Sequence, residues 1–299
     1  MSLTTGEKLS ITGKAITEIS QNAVGWRYKC KSNKQLDGQV VVITGANTGI
    51  GKETARDLAK RGAQVIIGCR DETRAANAIK DIKSKNPKAD IIALKLDLSS
   101  LKSVREFAQQ LTEKYQRIDV LINNAGLLMK DRTETADGFE MMFGTNHLGH
   151  FLLTLLVLPL LRKSPKARVV NVSSTGHTFG EIYFDDIHAL NKPYNMWTLY
   201  GQSKLANILF TRELARRLGK DSINQCLCRP SGSAKSGAQT SLYCAIDDTV
   251  DNETGFYYEN CHRNDNLLAK AKDDESAQRL WELSAQLVKL EDQYNLLKI

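Results

Sequence analysis

The sequence predicts an α/β fold built on one doubly wound parallel sheet in a single domain. Three observations predict it. Short β-branched runs alternate with helical patterns, the first run enters a glycine-rich turn, and each crossover is long enough for a right-handed return. No internal repeat or low-complexity linker divides the chain.

Residues 1–37 are polar and basic with weak apolar spacing and read as a lead-in. The domain is expected over 38–299. Residues 40–43 (Val-Val-Val-Ile) form an uninterrupted apolar run, as a strand buried on both faces should. Thr44-Gly-Ala-Asn-Thr-Gly-Ile-Gly51 follows at once, and a helical pattern then runs to Gly62. Strand, glycine turn and helix together point to a dinucleotide site of the Rossmann type. Glycines admit the tight turn, and the helix N-terminus offers N–H groups to a pyrophosphate.

The second strand, 65–67, ends in Gly68-Cys69-Arg70. An acid here would accept from the ribose hydroxyl of NAD, whereas Arg70 can fork onto a 2′-phosphate and favours NADP(H). The alternative is Arg70 paired with Asp71 or Glu72. The third strand, 91–96, leads to Asp97, either at the ligand edge of the sheet or capping the next helix, as Ser99 or Ser100 could. A helix is expected over 101–115 and a fourth strand over 120–122, before Asn123-Asn-Ala-Gly126. Small residues there, with Asn124, let backbone approach the adenosine side.

A long buried helix is expected over 139–161, carrying Asn146 and His147. Asn146 marks either a kink held by water or a relay between bulk water and Lys204. The fifth strand, 169–172, ends in Ser173-Ser174, where a hydroxyl can point at a substrate carbonyl. A helix follows over 200–218, and a sixth strand over 222–227. Tyr200-Gly-Gln-Ser-Lys204 places phenol and ammonium one helical turn apart. Alone, such a pair is usually an exposed helix face. Beside a nucleotide site the ammonium favours the phenolate, so Tyr200 can exchange a proton with a substrate oxygen.

Net charge is +7, with cations and acids interleaved, which reads as a solvated surface and not as a nucleic-acid site. Six cysteines show no C-x-x-C pair, so reduced thiols, no metal and an intracellular compartment are expected. The apolar stretch at 148–161 falls short of the roughly 20 residues a bilayer span needs.

In this order the glycine turn, Asn-Asn-Ala-Gly, Asn146, Ser174 and Tyr200-x-x-x-Lys204 resemble the short-chain dehydrogenase/reductase family. Asn-His-Leu-Gly-His-Phe-Leu-Leu-Thr (146–154), Gln-Ser-Lys-Leu-Ala-Asn (202–207) and the tail segments 237–245, 255–258 and 277–284 resemble its retinol dehydrogenase-like subgroup. The resemblance implies hydride transfer with Tyr200 as acid/base and Lys204 supporting it and holding the nicotinamide ribose. Ser174 would bond the substrate oxygen, and Asn146 would hold a relay water. The cofactor, NADP(H), would meet Gly45, Asn47, Thr48, Gly49, Ile50, Gly51, Arg70, Asp97, Asn124, Tyr200 and Lys204. Substrates would be retinoid-like lipophilic alcohols, aldehydes or ketones, and a homodimer could form through the 139–161 and 200–218 helices.

Two departures stand out. The subgroup's apolar anchor is replaced by a polar start, so a cytoplasmic or membrane-peripheral location is expected. The usual Pro-Gly turn and substrate cover after the sixth strand are shortened to Cys228-Arg-Pro-Ser-Gly-Ser-Ala-Lys-Ser236. That shortcut is expected to leave the site wet and part of the sheet's apolar face bare. It also motivates a second reading, a catalytically weak nucleotide-binding form acting through dimerisation.

Overall fold

The computed structural model describes residues 28–191, 193–219, 221, 223–230 and 232–294. Most of the 1–37 lead-in, and Ser222 at the expected start of the sixth strand, lie outside the described residues. Residues 28–37 lie along the domain. Leu36 is buried and its amide donates to the Arg61 carbonyl at 2.8 Å.

Strands β1 (Val40–Thr44), β2 (Gln64–Cys69), β3 (Ile91–Lys95), β4 (Val120–Asn123), β5 (Ala167–Val172), β6 (Ile223–Arg229) and β7 (Phe256–Glu259) are parallel. The two-residue β8 (His262–Arg263) pairs antiparallel at the edge. The order β3-β2-β1-β4-β5-β6-β7-β8 reverses direction between β1 and β4. Ligands of such sheets bind outside the strand ends at that switch point. Its apolar runs feed two cores because alternate residues face opposite ways. Val42 and Leu121 point to one core, and Val41, Ile43 and Ile122 to the other.

Helices α1 (Gly49–Lys60), α2 (Glu72–Lys85), α3 (Leu101–Lys114), α4 (Met141–Leu161), α5 (Met196–Leu218), α6 (Ala234–Ile246) and α7 (Asp274–Leu287) cover the faces. Helices α1, α2 and α6 feed one core, and α3, α4, α5 and α7 the other. Strand β7 and helices α6 and α7 lie in a stretch where the sequence was read by motif and not by period.

Helix α6 corrects one expectation. It starts just past the shortened crossover, capped by Ser233, and buries Leu242, Ala245 and Ile246 in the core. The sheet face beside β6 is therefore covered. Helix α5 starts four residues earlier than expected because the Asn195 side chain accepts from the amides of Trp197 and Thr198 at 3.0 and 3.1 Å. Helix α4 is long and apolar enough to cross a membrane, but 94% of its most apolar stretch is buried inside the fold.

Helices α4 and α5 bury nearly all their central residues within this one chain. Helix α7 packs on α5, and its Trp281 meets Phe151 of α4 edge-on at 5.0 Å, while the Arg217 guanidinium lies 4.6 Å from the indole. Helix α7 thus covers part of the α5 face within one chain. The chain is expected to sediment as a monomer; a concentration-dependent dimer in analytical ultracentrifugation would contradict this. Trp281→Ala should cost about 3–5 kcal/mol in urea unfolding.

Candidate active site

The glycine turn is shaped by close approaches. At Gly45, with φ +66°, a Cβ would lie 2.8 Å from that of Ala125. At Gly51 it would lie 2.5 Å from Asn124 Nδ2 and 2.9 Å from the Gly45 carbonyl. Asn124 in turn donates to the Thr44 carbonyl at 2.8 Å, closing the β1 and β4 ends together. Thr48 precedes α1 without a side-chain cap. The first N–H groups of α1 therefore lack that partner, as an anion site requires.

A cleft of about 530 Å³ lies at this switch point. Of the residues expected to hold a dinucleotide, Gly45, Asn47, Thr48, Ile50, Gly51, Arg70, Asp97 and Asn124 line it. Gly49 opens α1 in the left-handed region, φ +57°, and serves the turn. Among the described residues Arg70 has no ion pair. Asp71 instead caps α2 and meets Arg74 Nε at 3.3 Å. Arg74 also lines the cleft, paired with Asp71; sequence reading missed Arg74. Asp97 is no helix cap, since Ser100 fills that role, and its Oδ1 accepts from the Ser99 hydroxyl at 2.6 Å. The glycine cradle, the uncapped helix end and the two arginines fit a phosphorylated dinucleotide.

The catalytic corner gathers at the β4, β5 and α5 ends. Lys204 is 3% exposed, and its ammonium donates to the Val172 carbonyl at 3.3 Å. Burial pulls its pKa down to about 8. Its Nζ lies 5.6 Å from the Tyr200 ring centroid. A Cβ on Gly126 would stand 3.1 Å from that Nζ and 3.6 Å from Asn146 Oδ1, so glycine leaves the room in which they converge. A Cβ on Gly176 would stand 2.8 Å from the Tyr200 ring and 3.6 Å from Ser174 Oγ.

The two serines separate clearly. Ser173 is buried and spends its proton on the Lys204 carbonyl at 3.0 Å. Ser174 Oγ only accepts, from the Gly176 amide at 3.1 Å, which leaves its proton for a substrate. Lys270 holds the following turn by donating to the carbonyls of Thr178 and Gly180 at 3.0 and 2.6 Å.

Asn146 sits where α4 changes its winding. Gly144–Leu148 forms a π-helical turn inside α4, a device that re-aims side chains at functional sites. Its amide brackets Leu127, accepting from that N–H at 2.9 Å and donating to that carbonyl at 3.0 Å. The second amide proton goes to Ser203 Oγ at 3.0 Å. Both side-chain protons are committed, so the side chain braces the site. His147, also missed as a site residue, joins Ser284 of α7 at 2.9 Å and Asn207 at 3.4 Å. Burial lowers its pKa to about 3. All six cysteines are free and buried.

The profile of the short chain dehydrogenase family matches residues 39–242. This chain belongs to that family and is an oxidoreductase. It is 43% identical to human retinol dehydrogenase 12, covering 87% of this chain and 89% of the relative. Human retinol dehydrogenase 11 is equally similar, with the same coverages. The 283 matched positions of retinol dehydrogenase 12 exceed the 87% of this 299-residue chain that they cover, so the relative carries residues this chain lacks. An uncharacterised protein from Mycobacterium paratuberculosis superposes with a TM-score of 0.78 at 38% identity, covering 89% of this chain and 98% of its own. A short chain dehydrogenase from Escherichia coli CFT073 in complex with NADPH shares the fold at a TM-score of 0.61 and 24% identity, over 77% of this chain and 99% of its own.

Gly51→Ala tests the cradle. The added methyl meets backbone as well as Asn124, so NADPH affinity should fall about tenfold or more in a fluorescence titration, by analogy with other strained close approaches.

Proposed function

We propose that this chain is an NADP(H)-dependent oxidoreductase that interconverts lipophilic, retinoid-like alcohols and their aldehydes or ketones. The observation that carries this reading is a cleft lined by Arg70 and by Gly126, with Lys204 Nζ beside Gly126 and Tyr200 and Ser174 brought together at Gly176. A bound nicotinamide supplies or accepts the hydride. In the reducing direction the Tyr200 hydroxyl gives its proton to the carbonyl oxygen as the hydride reaches the carbon. The Ser174 hydroxyl donates to the same oxygen. The Lys204 ammonium favours the phenolate left behind, and the reverse sequence oxidises the alcohol.

The mouth supports a lipophilic substrate. Met142, Ala189 and Leu199 form a small buried apolar cluster, and Tyr200 and Leu127, which also lines the cleft, pack against it. Relatives named retinol dehydrogenases point to the same substrate class. Loss of the expected cover after β6 should raise the KM for apolar substrates. The competing reading, a weak form acting through dimerisation, is disfavoured by the covered faces of α4 and α5.

Tyr200→Phe should lower turnover by about 10²–10⁴-fold with NADPH affinity kept; full turnover would sink the mechanism. Arg70→Ala should weaken NADPH about tenfold and leave NADH unchanged, the loss of a charge-assisted hydrogen bond. An equal effect on both cofactors would refute the 2′-phosphate role.

A further inference from the structure

We propose that His150 is a positioning residue that ties the glycine turn to Asn146 and so sets where Lys204 sits against the cofactor. The inference rests on the dinucleotide reading of the cleft.

The hydrogen bonds fix the proton positions by counting. Thr44 Oγ1 accepts from the backbone N–H groups of Asn124 and Ala125, each at 3.0 Å. The same oxygen lies 2.8 Å from His150 Nε2. Its own proton is then the one shared with Nε2, which must be the unprotonated ring nitrogen. Nδ1 carries the ring proton and donates it to the Asn146 carbonyl at 3.0 Å. His150 is 1% exposed, and burial together with the Lys204 charge pulls its pKa to about 4. The ring is neutral at working pH, as this pattern demands.

These bonds close a circuit. Ala125 bonds Thr44, Thr44 bonds His150, His150 bonds the Asn146 carbonyl, and the Asn146 side chain brackets Leu127. Gly126 is the residue between Ala125 and Leu127, and its missing side chain makes the space for Lys204 Nζ. The imidazole is the piece of this circuit that spans from the β1 end to the π turn. A merely space-filling ring would need neither nitrogen, whereas here both have a partner at 3.0 Å or less. Removing the ring leaves the Thr44 hydroxyl without its buried acceptor and frees the π turn.

The test uses the full chain. Nitrogen-15 NMR of the histidine rings should show His150 protonated at Nδ1, with no titration between about pH 5 and 8. An Nε2-protonated ring would overturn the proposal. His150→Phe should weaken NADPH binding about tenfold and lower kcat similarly, with KM for the carbonyl substrate little changed. His150→Gln, which keeps a donor and an acceptor, should recover most of both. Wild-type binding and kcat in His150→Phe, with only a lower Tm, would make His150 purely structural. If His150→Phe does not fold, Thr44→Val takes its place. It should weaken NADPH binding and lower kcat by a similar factor, and Thr44→Ser should recover both; wild-type binding and kcat in Thr44→Val would refute the coupling. Wild-type protein that binds no dinucleotide would instead defeat the proposed function, while the ring tautomer would still report on the circuit.

Discussion

The site depends on a cation kept almost out of water. A buried ammonium must find acceptors and space inside the fold or lose its proton. Lys204 finds one acceptor in the Val172 carbonyl at the end of β5 and its space in the missing side chain of Gly126. Burial draws its pKa to about 8. Burial thus works against the charged form, and the acceptor at the β5 end and the room beside Gly126 work for it.

The same constraint explains the division of labour among neighbouring residues. Ser173 and Asn146 spend their protons on the frame, and Ser174 keeps its own. Burial holds His147 and His150 neutral. The first links α4 to Asn207 and to the C-terminal helix, and the second links α4 to the glycine turn. Helix α7 takes a double part, since Trp281 covers α4 and α5 while Ser284 reaches His147.

Much of this was legible in the sequence because it is local. A β-branched run followed by glycines announces β1, the turn and α1, and Tyr200 and Lys204 share a helix face by spacing alone. Arg70 was legible as well, being set by its place after β2. What was not legible is tertiary. The neighbours that commit Ser173, bracket Asn146 or protonate His150 at Nδ1 come from distant segments. Nor could period show that the residues after the shortened crossover would form α6. Their small side chains carry no strong helical stripe, and the helix is defined by packing on α1, where Gly237 meets Ile50. The bare sheet face expected from the missing cover was wrong for that reason.

The shortened crossover after β6 departs from the pattern expected of a retinol dehydrogenase-like chain. The glycine cradle and the corner that gathers Ser174, Tyr200 and Lys204 are formed all the same. The most direct measurement follows deuterium from NADPH labelled at the transferring position, mixed in single turnover with retinaldehyde and the purified chain. Mass spectrometry of the product should find the label on the carbinol carbon of retinol. Saturable NADPH binding with no labelled alcohol would contradict the account and leave a nucleotide-binding protein that does not transfer hydride.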